Sequence, residues 1–327
     1  MAIQTNELQA AVLAKINKLV PDALERETKL TSIVTGPQKR QQVGGLFIQC
    51  PIKLIANASQ GFIAGAGANL DVTPSQQLQY QIFNWKYFNF NTNFSLADYN
   101  IASGPLEIVK FMKTKIEGSL QDAVRTWNIA FNGTATNALN FQGIQDMAAA
   151  SGTAYGGLTD TDYASDAFLP LIYDDTDFTT ISYDNFNKMA TDLRLRVRGY
   201  GKGKKIMSTC NGLVYSQLKT ALQNQQIFLN ESEMIKAGFV GFTVDGVDVY
   251  PDADAPGTGT AGTTDNWLTM FPESIMEFWY HYGFGKKSPF DGEVRISNTT
   301  TNSYQNFVSG ELINLNRRLM AVAKNIG

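Results

Sequence analysis

One histidine, His281, serves the whole chain of 327 residues, and there are two cysteines, Cys50 and Cys210. That scarcity removes much chemistry at once. No two-histidine metal site can be built, and any Ser/His or Cys/His nucleophile pair must use the one ring. It lies in the aromatic run FWYHYG, and no G-x-S-x-G elbow accompanies it. His281 therefore reads as an ordinary strand residue; only under a hydrolase reading would His281→Gln abolish an activity. The cysteines stand far apart, fit no metal or redox spacing and read as two buried thiols. Charge is also sparse: 17% of residues are charged, the net charge is −3 and the pI is near 5.3. The chain as a whole thus lacks the basic footprint of a dedicated nucleic-acid binder. Nor is there a run of the ~18 uninterrupted apolar residues that a membrane-spanning helix needs. The most apolar region, GGLFIQCPIKLIANASQGFIAGAGANL, is broken by Pro51, Lys53 and several glycines.

What is present suits a globular chain with about two folded units, 43% apolar and without repeats. The first twenty residues set Leu8, Val12, Ile16 and Leu19 at helical spacing among Glu7, Lys15 and Lys18, which predicts an amphipathic helix and not an export signal. Pro21 to Gln42 shows no sustained period and reads as an extended arm with a basic end at Lys39 and Arg40. Gly44 to Phe94 is strand-like, with Phe83, Trp85 and Tyr87 alternating before the phase changes to Phe88 and Phe90. A β-bulge at Phe88 is the expected cause. A two-stranded excursion of this kind cannot bury both faces by itself, so it should rest on something else, such as another chain.

The clearest helix follows. Met112, Ile116, Leu120, Val124, Trp127 and Phe131 continue a stripe begun at Val109, with Ser103 and Pro105 at its start and Asn132-Gly133 at its end. A second helix runs from Ser182 to Arg196 with Phe186, Met189, Ala190 and Leu193 inward, and a third from about Leu213 to Phe228. Strand-like segments then dominate: WLTMF, IMEFWYHYG, GEVRI and FVSGELINLNRRLMAVA. Helices and strands mix without a βαβ rhythm, which predicts an α+β fold.

Two motifs invite a chemical reading. FTVDGVDVYPDADAPG holds four aspartates, but as a calcium loop it has Pro256 at the third ligand position and Thr263 where a bidentate Glu is required. Asp245-Gly246 between Val244 and Val247 instead predicts a type I′ hairpin. Gly199-Tyr-Gly201-Lys-Gly203-Lys-Lys lacks Walker spacing, and with Arg194, Arg196 and Arg198 reads as a basic helix end on a solvated or interface face. KYFNFNTNF departs from an RNA-reading strand at Tyr87 and reads as an interface strand.

The order of these parts resembles the HK97-fold major capsid proteins of tailed bacteriophages over nearly the whole chain: basic-ended arm, long β excursion, beam helix ending in FNGTATNALNFQGIQDMA, helix pair, DGVDVYPDADAP hairpin and closing FVSGELINLNRRLMAVA. The order carries the resemblance, since no single motif does. It implies an N-terminal helix and arm over residues 1–43, an E-loop over 44–99 and a peripheral domain over 100–180 with a spine helix at 105–131. It further implies an axial domain over 181–290 and return strands over 291–327. The implied function is a non-enzymatic subunit, without cofactor or metal, of an icosahedral phage head built from pentamers and hexamers around double-stranded DNA. It would assemble in the host cytoplasm with a separate scaffolding protein, a portal and a possible decoration protein, and with no membrane. Lys39, Arg40, Phe83, Trp85, Tyr87, Phe88, Arg196 and Arg198 are the expected intersubunit contacts. An encapsulin-like cellular compartment is the alternative.

Overall fold

The computed structural model describes residues 29–55, 77–95, 105–135, 137–163, 167–174, 177–178, 180–197, 205–224, 241–257, 265–282, 292–295 and 301–326. The amphipathic stretch at residues 1–20 and the glycine-lysine run 199–204 lie outside them.

The segment expected as an extended arm begins with a helix, α1 (Lys29–Thr35). Leu30, Ile33 and Val34, at i, i+3 and i+4, are buried on one face, and that short apolar patch is what the long polar window concealed. The chain then forms β1 (Lys39–Gln41), which pairs in parallel with β10 (Met276–Tyr282). Next come β2 (Phe47–Lys53) and β3 (Leu78–Asn84), an antiparallel two-stranded ribbon. The expected bulge at Phe88 is absent. Pairing instead breaks at Trp85, where the chain leaves the ribbon and enters β4 (Lys86–Ser95), a strand of a different sheet. The change of phase is thus a change of partner: Phe90 and Phe94 point into the core while Tyr87 faces out.

β4 runs antiparallel to the long strand β12 (Thr301–Asn314), whose other edge carries β10 and β11 (Gly292–Arg295). Beneath this five-stranded sheet lies α2 (Pro105–Asn132), a helix of 28 residues. Its length of ~42 Å follows from the 1.5 Å rise per residue. The predicted stripe is the buried face: Met112, Ile116, Leu120, Val124, Trp127 and Phe131 are all in the core. Around Trp127, the rings of Phe88, Phe131, Phe141 and Phe278 lie 5.0–5.6 Å away, centroid to centroid. Such aromatic packing adds to simple area burial.

The second core belongs to a six-stranded sheet. Its order is β5 (Leu171–Tyr173), β13 (Ala321–Ile326), β9 (Asn266–Pro272), β6 (Ile206–Cys210), β8 (Val247–Pro251) and β7 (Phe242–Val244). Helices α4 (Tyr183–Val197) and α5 (Gly212–Asn224) contribute to this core, after the short helix α3 (Ile144–Met147) earlier in the chain. Ser182 Oγ accepts from Asn185 N at 3.2 Å and Asn211 Oδ1 from Val214 N at 3.0 Å, so both long helices here start on side-chain caps. Phe186, Met189, Ala190 and Leu193 are buried as the spacing required. Asp245 (φ 50) and Gly246 (φ 70) make the predicted hairpin between β7 and β8. The closing segment, read as one strand, is two: β12 ends at Asn314, a turn at Arg317–Leu319 crosses over, and β13 enters the other sheet.

Candidate intersubunit surfaces

The acidic stretch that suggested a metal is a clamp. Asn128 Nδ2 on α2 donates to Asp252 Oδ1 and to Asp254 Oδ2, each at 2.8 Å, and Asn132 Nδ2 donates to Asp252 Oδ2 at 3.1 Å. Burial raises the Asp252 carboxyl above its usual range, and these amide donors, with Asp254 N, oppose that shift. Thr31 Oγ1 on α1 donates to Asn128 Oδ1 at 3.2 Å, so one amide gathers the arm helix, the long helix and the hairpin. Among the described residues no group of His, Cys, Asp and Glu is placed to hold a metal ion.

The arm is held by a buried charge. Glu277 is 2% exposed, and Arg40 reaches it at 2.7 Å while lying over the Trp279 ring. Trp279 Nε1 donates to the same carboxylate at 3.0 Å. Cys50 and Cys210 are free and buried, as read from the sequence. Burial first, and then the nearby Glu277 charge, push the Cys50 thiol up to about 12, which makes it inert at neutral pH.

The β2–β3 ribbon has two unlike faces. Ile48, Cys50, Ile52 and Phe83 point inward onto the chain's own core. Phe83 meets Tyr155 edge-on at 5.2 Å, and Ile82 N donates to Gly156 O at 2.9 Å. The outer face presents Phe47, Leu78, Tyr80 and Ile82, each about half exposed, beside Val43 and Leu46, which are almost fully exposed. This is an unusual concentration of apolar surface for a chain alone in water. Sequence reasoning missed it because both faces of LQYQIFN carry apolar residues; the signal was Leu78, Tyr80 and Ile82 alternating against Gln79 and Gln81.

The expected contact residues do not form one patch. Tyr87 is exposed on the outer face of β4, and Phe88 is half-buried against Trp127. Trp85 Nε1 donates to Gly45 O at 2.9 Å, and its ring meets His281 edge-on at 5.5 Å, so both rings mark the base of the ribbon. Phe83 is 3% exposed and Arg40 is engaged with Glu277, so within one chain these two are already occupied. Lys39 lies beside Arg40 in β1. Arg196 Nη1 donates to Leu169 O at 2.8 Å, and its neighbour Arg194 holds the hairpin turn through Asp245 at 2.6 Å. Arg198 lies outside the described residues.

No family model and no curated protein matches the chain. Solved structures do. A cyanophage A-1(L) capsid protein matches at 11% identity over 92% of this chain and 93% of its own, with a TM-score of 0.65. The encapsulin of the holo-SrpI complex from Synechococcus elongatus PCC 7942 matches at 9% identity over 91% and 88%, with a TM-score of 0.57. The capsid of the native GTA particle matches at 11% identity over 92% and 93%, with a TM-score of 0.54. Identities this low speak for architecture alone, and the coverage takes in nine-tenths of the chain: the chain has the α+β HK97 fold found in capsid and encapsulin shells.

Proposed function

We propose that this chain is a major capsid protein, a structural subunit that closes into an icosahedral phage head of pentamers and hexamers around double-stranded DNA. In this reading residues 1–43 are the N-terminal arm, 44–99 hold the E-loop and 100–180 the peripheral domain, with α2 as its spine. Residues 181–290 form the axial domain, and 291–327 return through both. The ribbon's outer face and the exposed end of β4 would lie on neighbouring subunits, giving the heterologous contacts that close rings. Packaged DNA would touch the shell without sequence preference. A separate scaffolding protein, a portal and a possible decoration protein would share the head, first in the host cytoplasm and then in the virion.

The observation that carries the reading is the match of nearly the whole chain, in both directions, to a cyanophage capsid protein. The exposed apolar ribbon face supports it independently, since such a surface needs a partner. An encapsulin-like compartment is the second reading, favoured by the likeness to the Synechococcus encapsulin. Light scattering and negative-stain microscopy of the protein expressed alone test both. Closed shells or capsomer rings are expected, and shells holding host peptides would favour the compartment. A monomer at every concentration that stays monomeric beside its scaffold would overturn both.

A further inference from the structure

The sequence holds four Asn-Gly or Asp-Gly pairs, at 132–133, 211–212, 245–246 and 291–292. A chain rearranges its own backbone most readily at such pairs, because glycine leaves its amide nitrogen open to close approach by the preceding side chain. Two of the four are buried ties. Asn132 Nδ2 donates to Asp252 Oδ2 and to Asn128 O, each at 3.1 Å, and Asn211 Nδ2 donates to Asn266 Oδ1 at 2.6 Å while its Oδ1 caps α5. Asp291 lies outside the described residues. Asp245 differs from the buried pair: it stands in the two-residue turn between β7 and β8 with its side chain 40% exposed, and both turn residues have positive φ. Arg194, in the last turn of α4, holds it. Its Nη1 donates to Asp245 Oδ2 at 2.6 Å and its Nη2 to the Asp245 carbonyl oxygen. One planar guanidinium thus grips both the side chain and the backbone of the same residue.

We propose that Asp245-Gly246 is a site of spontaneous isomerisation to isoaspartate, and that Arg194 is the latch that slows it. The reaction needs only solvent. Gly246 N attacks Asp245 Cγ; the new N–C bond closes a five-membered succinimide, and the amide proton leaves with the hydroxyl of the protonated acid as one water. A second water then breaks the bond between that nitrogen and the original Asp245 carbonyl carbon, so the chain afterwards runs through the side-chain carboxyl with no net change in mass. Ring closure requires the side chain and the following peptide plane to turn toward each other. Arg194 opposes both rotations, since it is tied to one oxygen on each. The product adds a backbone atom to a turn built for two residues. It would therefore break the Val244–Val247 pairing and loosen β7, the edge strand of its sheet.

The test incubates the full, unassembled chain at neutral pH in heavy-oxygen water and follows isoaspartate at residue 245 by peptide mass spectrometry, each ring opening leaving one heavy oxygen. Arg194→Gln should raise the rate about fivefold, the ratio supplied by an exposed ion pair of the stronger kind. Arg194→Lys should fall between, because an ammonium lacks the fork that reaches both oxygens. Asp245→Glu should abolish the signal, since the larger ring closes poorly. Asp291-Gly292 in the same samples reports any general loosening and should keep its rate. High salt tests the latch without a substitution: by screening the pair it should accelerate the reaction in the unaltered chain. Equal rates at residue 245 with and without Arg194 would overturn the latch. So would a rise shared by Asp291, which marks loss of fold and not of one contact. No isoaspartate at residue 245 in Arg194→Gln would overturn the site itself. These readouts do not depend on assembly, so they stand apart from the shell reading.

Discussion

Excising Leu46–Asn84 and joining Gly45 to Trp85 through a short glycine link should leave a folded protein that no longer assembles. The junction is already closed, since Trp85 Nε1 donates to Gly45 O at 2.9 Å. The excision removes Ile48, Ile52 and Phe83 from the core. Each is worth ~1.5–3 kcal/mol of apolar burial. Against that loss stands the chain entropy the ribbon no longer has to surrender, at ~1–2 kcal/mol for every residue fixed. The shorter excision should therefore leave the remaining core able to fold. Carrying the excision on to Asn93 is a different matter, because it takes most of β4. The ten-residue register of β4 with β12 disappears, Phe90 is deleted and Phe94 loses its anchor. Truncating one buried Phe costs ~3–5 kcal/mol, so the two approach the ~5–15 kcal/mol that holds a domain together. Circular dichroism melts and size exclusion should show cooperative unfolding for the shorter excision and an insoluble or molten chain for the longer. Microscopy on the shorter should show no shells. If the two excisions behave alike, Trp85 is not the energetic boundary between ribbon and sheet; normal shells from the shorter would remove the ribbon from assembly.

Two further changes test parts of the core. Glu311 on β12 is 1% exposed, and burial pushes its carboxyl up to about 8, against hydrogen bonds from Gln142 N and Leu312 N and the Lys86 charge. The folded chain thus holds this proton more tightly than the unfolded one, and the resulting stability is full below about pH 4.5 and lost as pH rises through about 8. Glu311→Gln should flatten the decline in urea midpoint between those limits, a slope of up to ~1.4 kcal/mol per pH unit; an unchanged slope would place the titration elsewhere. At Gly156 (φ +58) an added Cβ would lie 2.8 Å from the Phe83 ring. Gly156→Ala should cost ~2–4 kcal/mol from left-handed backbone strain and overpacking together, with Phe83→Leu recovering part of the loss. A thermal melt of the double variant no better than that of Gly156→Ala would contradict this seat for the ribbon.

Periodic features were legible in the sequence and partnerships were not. The α2 stripe, the inward face of α4 and the Asp245-Gly246 turn depend on neighbours a few residues away, so spacing alone specified them. The Phe88 phase change was visible but misassigned. A bulge and a change of sheet leave the same mark along the chain, and only the pairing of β4 with β12, more than 200 positions distant, separates them. The helix at Lys29–Thr35 escaped because a two-turn element has room for only three apolar residues, and they took meaning from α2. The acidic stretch was legible as a hairpin through Asp245-Gly246, yet the role of its later aspartates rests on Asn128 and Asn132, which the sequence presents as ordinary residues of a long helix.

Directional polar bonds add to the apolar packing by which Met207, Tyr250, Phe271 and Val322 of the six-stranded layer share a core with the five-stranded one. At the crossover between β12 and β13, Arg317 is fully buried. Its Nε donates to Phe168 O at 2.9 Å and its Nη1 to Thr153 O at 3.3 Å, with Asp160 3.6 Å from Nη2 and the Phe168 ring beneath the guanidinium. Asn316 caps the same turn by accepting from Arg318 N. The Asn128 and Asn132 clamp makes the second tie, to the end of the hairpin strand. Apolar contact is indifferent to orientation, whereas hydrogen bonds weaken steeply as their angles depart from linearity. Two such ties at separate points fix the angle between the layers. A subunit of a closed shell needs that property above raw stability, because a small error in its angle is repeated at every contact and decides whether the surface closes.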